Sequence, residues 1–314
     1  MNSIDRMIFE IKSQRRILPS LRFPKPRNPE RCIFIGSGDS YVSCLLSSYL
    51  SGLKSPCFTP SEIITFPTIA RGYEVFFVSI SGKTSANIHA ANVMNSHNIK
   101  TTAVTTDYNS TLAKTCKNLI WIDIPLSTQP TSGTLTFTAS TLTCMRLVTD
   151  KAKTSLIPSI FSKCEKILRD NKDYSFNNCL YVFLANNFLY PCAVYGKLKI
   201  NEIFGYPSSA YSIDEFFHAP IFSLRDHDCI ILLENGENKQ NASEKKIYNM
   251  LSNARLKILP IRTIRGTLFE KVMSSIFTQQ MIFATQAQKL GLHDCVFIKN
   301  KKFLSLSSGV IYHA

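Results

Sequence analysis

The stretch Arg31-Cys32-Ile33-Phe34-Ile35-Gly36-Ser37-Gly38-Asp39-Ser40-Tyr41 decides the fold. A short apolar run ends in a Gly-Ser-Gly-Asp-Ser turn, and residues 41–50 beyond it read as a helix, so the segment spells strand, glycine loop, helix. Apolar β-like runs follow at 74–80, 101–105 and 119–122, with a helical segment between each pair. Strands alternating with helices at this spacing predict a parallel sheet covered on both faces. Upstream, Ile4, Met7, Ile8, Ile11 and Leu18 recur at helical spacing, and the prolines from Pro19 to Pro29 then break the helix and act as a spacer.

The second half repeats this pattern weakly but in order. IFIGSGDSY (33–41) has a counterpart in YVFLANNFLY (181–190), SEIITFP (61–67) in DEFFHAP (214–220), and EVFFVSISG (74–82) in DCIILLENG (228–236). A nearly constant offset of about 150 positions predicts two similar α/β modules joined by a helical stretch near 156–168. The copies differ in chemistry. Gly36, Gly38, Ser79, Ser81 and Thr84 give way to Ala185, Asn186, Asn187 and Glu234 in the second copy. Phosphate needs close backbone approach and N–H or hydroxyl donors, which a carboxylate opposes, so phosphate is expected in the first copy alone.

The 314 residues carry 36 Lys and Arg against 22 Asp and Glu, a formal charge of +14, with 45% hydrophobic residues. That much apolar material excludes a disordered chain. The charge favours phosphorylated or polyanionic partners without choosing between them. Basic residues are spread along the chain with no aromatic interleaving, so nucleic acid is not expected. Ten cysteines show neither CxxC nor zinc-ribbon spacing and are read as buried free thiols of a reducing compartment. With no apolar leader and no run of 18 apolar residues, a cytoplasmic protein without a membrane span is expected. His89, His97, His227, His293 and His313 lack metal-ligand spacing, so neither metal nor cofactor is expected.

Ser79-Ile80-Ser81-Gly82-Lys83-Thr84 follows an apolar strand and leads into a helix-forming segment. That places Gly82, Lys83 and Thr84 at a helix N-terminus, where free N–H groups favour an anion, with three hydroxyls close by. A plain Ser/Thr-capped helix start fits the same residues. The spacing is not that of a P-loop, which argues against a nucleoside triphosphate.

A strand, a Gly-x-Ser loop, then Ser-x-Ser-Gly-x-Thr opening a helix resembles the sugar isomerase (SIS) domain family. Met7-Ile8-Phe9-Glu10-Ile11-Lys12-Ser13-Gln14 is similar to the Met-x-x-Glu-Ile-x-x-Gln ahead of the double SIS unit in the isomerase half of glucosamine-6-phosphate synthase. Glu62 sits at that family's Ser-Glu-Phe segment. Residues 132–137 resemble its Ser-Thr-Lys-x-Phe loop, from which Gly133 and Leu135 depart. Gly196-Lys197-Leu198-Lys199-Ile200-Asn201-Glu202 resembles Gly-x-Leu-Lys-x-x-Glu, and Glu215-Phe216-Phe217-His218-Ala219-Pro220 resembles Glu-x-x-His-Gly-Pro. The resemblance implies two SIS domains, each a parallel-sheet αβα sandwich of flavodoxin-like topology. They would span 28–153, with the phosphate loops, and 154–298, with the Glu/His segment, between an N-terminal helix and spacer (1–27) and a short tail (299–314).

It also implies roles. Gly38, Asp39, Ser40, Ser79, Ser81, Gly82 and Thr84 would bind the phosphate, with Ser132 and Gly133 beside the sugar. Asp39 stands where the synthase has threonine, and an N-cap of the helix beginning near Tyr41 is the simpler reading of its carboxylate. Glu202 would be the base of an aldose–ketose isomerisation. Lys199, at i−3, would hold it or polarise a sugar oxygen, although the pair alone reads as a helix salt bridge. His218 would open the sugar ring from a neighbouring subunit of a homodimer. Lys299, Lys301 and Lys302 are candidates for an assisting lysine that no motif selects. The expected substrate is a hexose or aminohexose 6-phosphate. A glucosamine-6-phosphate deaminase or fructosamine-6-phosphate deglycase of the same family, and a non-catalytic sugar-phosphate sensor, are the alternatives. Asn2 in place of a nucleophilic cysteine, and no glutaminase segment, exclude glutamine-dependent synthesis by this chain alone.

Overall fold

The computed structural model of the protein describes residues 1–126, 130–170, 175–236, 242–254 and 256–312, which leaves His313 outside the described residues. The chain divides into two compact units. One comprises Arg16–Thr128, Leu135–Thr154 and Asn300–Ala314; the other comprises Met1–Arg15, Gln129–Thr134 and Ser155–Lys299.

In the first unit, β1 (Cys32–Ile35), β2 (Cys57–Phe58), β3 (Glu74–Val78), β4 (Lys100–Thr105) and β5 (Asn118–Trp121) form a parallel sheet in the order β2-β1-β3-β4-β5. That is the order of flavodoxin-like doubly wound folds, as expected. The central strands are buried on both faces, which is why they read as unbroken apolar runs. Ile33, Ile35, Val75, Phe77 and Ala103 pack with Ala90, Ala91 and Met94 of the helix Ser85–Ser96. Phe34 and Phe76 stack at 5.3 Å.

In the second unit, β6 (Tyr181–Ala185), β7 (Ser208–Ser212), β8 (Cys229–Glu234) and β9 (Lys257–Arg262) form a parallel sheet in the order β7-β6-β8-β9. This repeats the order of the first four strands of the other sheet. Val182, Leu184, Ile230 and Leu232 pack with Ile213, Phe216 and Leu251. The helix Leu268–Lys289, opened by a capping box of Thr267 and Glu270, is buried along nearly its whole length. Glu234, at the end of β8, accepts from Arg262 at 2.7 and 2.9 Å, so its buried charge is neutralised inside the unit.

Three local expectations change. The 299–314 tail, for which no element was expected, is helical over Lys301–Tyr312, after a short helix at Val296–Lys299. Asp39 is not an N-cap: the helix spans Asp39–Leu50 with Gly38 as its cap residue, because only a glycine readily takes that position's φ of +55°. The helix Tyr190–Lys199 does not continue as α through Glu202 but widens into a π turn at Ile200–Phe204. The ten cysteines are free, and nine are buried. Among the described residues, no helix is long and apolar enough to cross a membrane.

Candidate active site

The expected phosphate ligands fall on two loops of the first unit, at the carboxyl ends of the neighbouring strands β1 and β3. Strand order reverses between these two strands, and open α/β sheets bind ligands at such a switch point. The second loop is braced before any ligand arrives. The Ile80 carbonyl accepts from Thr105 Oγ1 (2.9 Å), Thr106 Oγ1 (2.8 Å) and Thr106 N (3.1 Å). Gly82 has φ +60°, and a Cβ there would overlap Ser110 and lie 3.1 Å from Thr105 Oγ1. Ser79 and Thr84 hydroxyls are 3.2 Å apart, and Lys83 N donates to Ser81 Oγ at 3.3 Å. Thr84 precedes the helix Ser85–Ser96 and makes no side-chain cap hydrogen bond, so its hydroxyl does not occupy the first N–H groups of that helix. The first N–H groups of a 12-residue helix have no partner within it, and with hydroxyls alongside they are suited to an anion.

The expected base lies in the second unit. Lys199 is 1% exposed and donates to Glu202 Oε2 at 2.6 Å, with its Nζ 5.3 Å from the Tyr195 ring. Ser132 Oγ donates to the same oxygen at 2.7 Å. Among the described residues Glu202 Oε1 has no protein partner, and the side chain keeps 35% exposure, enough to meet a ligand. The π turn matters here. A widened turn sets residue 202 off the α-helical repeat, and such turns recur at functional sites. Gly205, with φ +70°, ends it.

Ser132, Lys199 and Glu202 are therefore brought together, while Gly133 turns its carbonyl to Tyr195 OH at 2.9 Å. His218 closes the helix Ile213–His218 after β7, exposed, and among the described residues it makes no hydrogen bond to Glu202. The three tail lysines separate. Val296–Lys299 packs on the π turn, whereas Lys301 and Lys302 begin the exposed helix of the other unit. Sequence reasoning gave no role to Glu10, Gln14, Thr131, Thr134, Tyr195 or Gln280, which surround the 131–134 loop. Glu10 and Gln14 had two signals, the Met-x-x-Glu-Ile-x-x-Gln resemblance and an i, i+4 spacing that puts both on one helix face, and Thr134 lay within the 132–137 resemblance.

Comparison with known proteins places the first loops in a family. The sequence model of the SIS domain matches residues 27–149. This stretch, less than half of the chain, is similar to a SIS domain. The matched stretch contains β1 to β5 and both candidate loops, and the match supports one such domain rather than the expected two. A curated relative, the isomerizing glutamine–fructose-6-phosphate aminotransferase of Sulfurisphaera tokodaii, is 23% identical over 275 residues. That alignment takes 81% of this chain and 46% of the relative, so the chain spans about half the length of the protein it matches. Among solved structures, glucosamine-6-phosphate deaminase from Thermotoga maritima superposes with a TM-score of 0.72 at 19% identity, over 92% of this chain and 96% of that one. Tagatose-6-phosphate ketose/aldose isomerase from Escherichia coli gives 0.73 at 14% identity, over 91% and 93%. At such identities the likeness is one of fold, and it extends beyond the SIS domain to nearly the whole chain.

Proposed function

We propose that the protein is a sugar-phosphate aldose–ketose isomerase acting on a hexose or aminohexose 6-phosphate. The observation that carries this reading is Glu202: a carboxylate with one oxygen held by Lys199 and Ser132 and the other unclaimed. The phosphate goes to the loops of Gly38, Asp39, Ser40, Ser79, Ser81, Gly82 and Thr84. Ser132 and Gly133 form the loop on the sugar side. On the open-chain aldose, Glu202 Oε1 takes the C2 proton and the C–H electron pair becomes the C1–C2 double bond, while O1 is protonated. Return of the proton to C1, with loss of the O2 proton, completes the ketose. Lys199, an ammonium beside the carboxylate, stabilises the oxyanion that develops in the enediol. His218, from a second subunit of a homodimer, handles the ring-oxygen proton. Lys299 is the tail lysine that best suits assistance, because its helix packs on the turn carrying Glu202.

A second reading, amino-sugar-phosphate deamination, uses the same proton transfer through an enolamine. The deaminase activity named for the Thermotoga maritima protein supports it. Incubation with glucosamine 6-phosphate and with fructose 6-phosphate, scoring ammonia against aldose or ketose, separates the two. Glu202→Gln should abolish turnover and keep ligand binding. Binding with no turnover by the parent chain would sink both and leave the sensor.

A further inference from the structure

We infer that Glu10 is a positioning residue that aims the Ser132 hydroxyl at Glu202, so that the N-terminal helix sets the direction in which the base presents its free oxygen. This rests on the reading of Glu202 as the base. Every group involved belongs to one compact unit.

Glu10 lies in the helix Ser3–Ser20 and is 5% exposed. Burying a carboxylate is unfavourable unless it is paired and hydrogen-bonded, so its partners define what it is for. Oε1 faces Arg6 Nε at 3.4 Å. Oε2 accepts from Thr131 Oγ1 at 3.1 Å and from Thr134 Oγ1 at 2.8 Å. Those threonines bracket Ser132 in sequence, one position before it and two after, so a single oxygen pins both sides of the turn that carries the serine.

One helical turn along, Gln14 is fully buried and holds the same loop from another side. Gln14 Nε2 donates to Gln280 Oε1 at 2.6 Å, Gln280 Nε2 to Tyr195 OH at 3.1 Å, and Tyr195 OH to the Gly133 carbonyl at 2.9 Å. Ser132 itself is 1% exposed. Its hydroxyl is thus fixed before substrate binds and donates to a carboxylate, a charge-assisted bond stronger than one between neutral groups. With Ser132 and Lys199 both on Oε2, the carboxylate cannot turn without breaking two bonds, and Oε1 stays on the substrate side. Ser132 then serves the base, not only the sugar.

The test is a double-mutant cycle in the full chain, read by turnover of fructose 6-phosphate and by deuterium wash-in from solvent. Ser132→Ala should lower kcat about 10- to 100-fold with KM within about twofold, the loss expected for one hydrogen bond to a charge. Ser132→Thr, which keeps the hydroxyl, should recover most of it. Glu10→Ala should fall in the same direction, and the double variant should be no worse than the poorer single within about twofold, since residues acting in series do not add. Multiplying losses, or a kcat unchanged in Ser132→Ala, overturn the inference. If the parent neither turns over nor exchanges deuterium, the isomerase reading fails, and the crystal structure of Glu10→Ala decides the positioning role by itself. Ser132 Oγ should leave hydrogen-bond reach of Glu202 while the Lys199 pair persists; an unmoved Ser132 refutes it. Should Glu10→Ala not fold, the near-isosteric pair Thr131→Val and Thr134→Val takes its place in both readouts.

Discussion

Replacing Gly82 by alanine tests whether the loop from Ser79 to Thr84 is as tightly built as its geometry requires. Two costs can be worked from the structure. At φ +60° a β-carbon sits in the left-handed region, a penalty of about 1–2 kcal/mol. The same carbon overlaps Ser110 Oγ and Cβ, and relieving that overlap adds about 1–3 kcal/mol. The Ser110 side chain cannot yield freely, because it is buried and its hydroxyl accepts from Ala113 N at 3.3 Å as the cap of the helix Thr111–Thr115. The expected loss is therefore about 2–5 kcal/mol if the costs add. The assay is unusually clean, since the chain has one tryptophan and Trp121 lies on β5 of the same unit. Its fluorescence in urea reports unfolding of that unit. With a slope near 2 kcal/mol per molar, the midpoint should fall by about 1–2.5 M. Ser110→Gly in the same chain should recover the overlap part and leave the backbone part of about 1–2 kcal/mol. A midpoint shift below about 0.3 M, or no recovery from the second substitution, would refute the reasoning.

Lys199→Met keeps the volume of a side chain that is 1% exposed and strips Glu202 of its ammonium partner. Because Glu202 stays 35% exposed, water takes up part of the unpaired charge, and stability should fall by about 1–3 kcal/mol, below the usual cost of breaking a fully buried pair, while turnover is lost; unchanged turnover would remove Lys199 from the site. Burial pushes the thiols of Cys32, Cys57, Cys116, Cys144, Cys192 and Cys229 up to about 12. At pH 8.5 the native chain should thus take up iodoacetamide slowly, and all ten cysteines should react once it is unfolded, as mass spectrometry counts them; rapid labelling of the native chain would contradict the packing. The Thr267 backbone N–H, donating to Glu270, holds that carboxyl below its ordinary 4.5. A depressed folded value stabilises above the unfolded one and is lost on acidification, so the stability gap between the parent and Glu270→Gln should persist at neutral pH and close as pH falls below 4.5. A gap that is flat with pH would count against the charged cap.

The loops after β1 and β3 were legible because their signals are local. Gly38 and Gly82 answer backbone requirements of single turns, and the hydroxyls lie within six residues of one another on the segment Ser79 to Thr84. The Lys199–Glu202 pair was legible as a spacing, although the π turn that joins them was not, since nothing in Ile200-Asn201-Glu202 marks a widened helix. The tail helix was not legible because the 12-residue segment that Lys301 begins has no capping or packing signature in sequence. Asp39 was misplaced by one position because side-chain capping chemistry was weighed before the positive φ that Gly38 supplies.

By itself, then, the amino-acid sequence determined the alternation of strands and helices, the parallel sheets and the Gly- and hydroxyl-rich loops that follow β1 and β3, since each depends on neighbours a few residues apart. The tertiary structure alone decided what surrounds Glu202. Ser132, Glu10 and Tyr195 come from three separate segments, and the hydrogen bonds that tie Ser132 to Glu202, Glu10 to Thr134 and Tyr195 to Gly133 span 62 to 124 residues of chain. No periodicity encodes such contacts, because they exist only once burial has forced each polar group to find its partner.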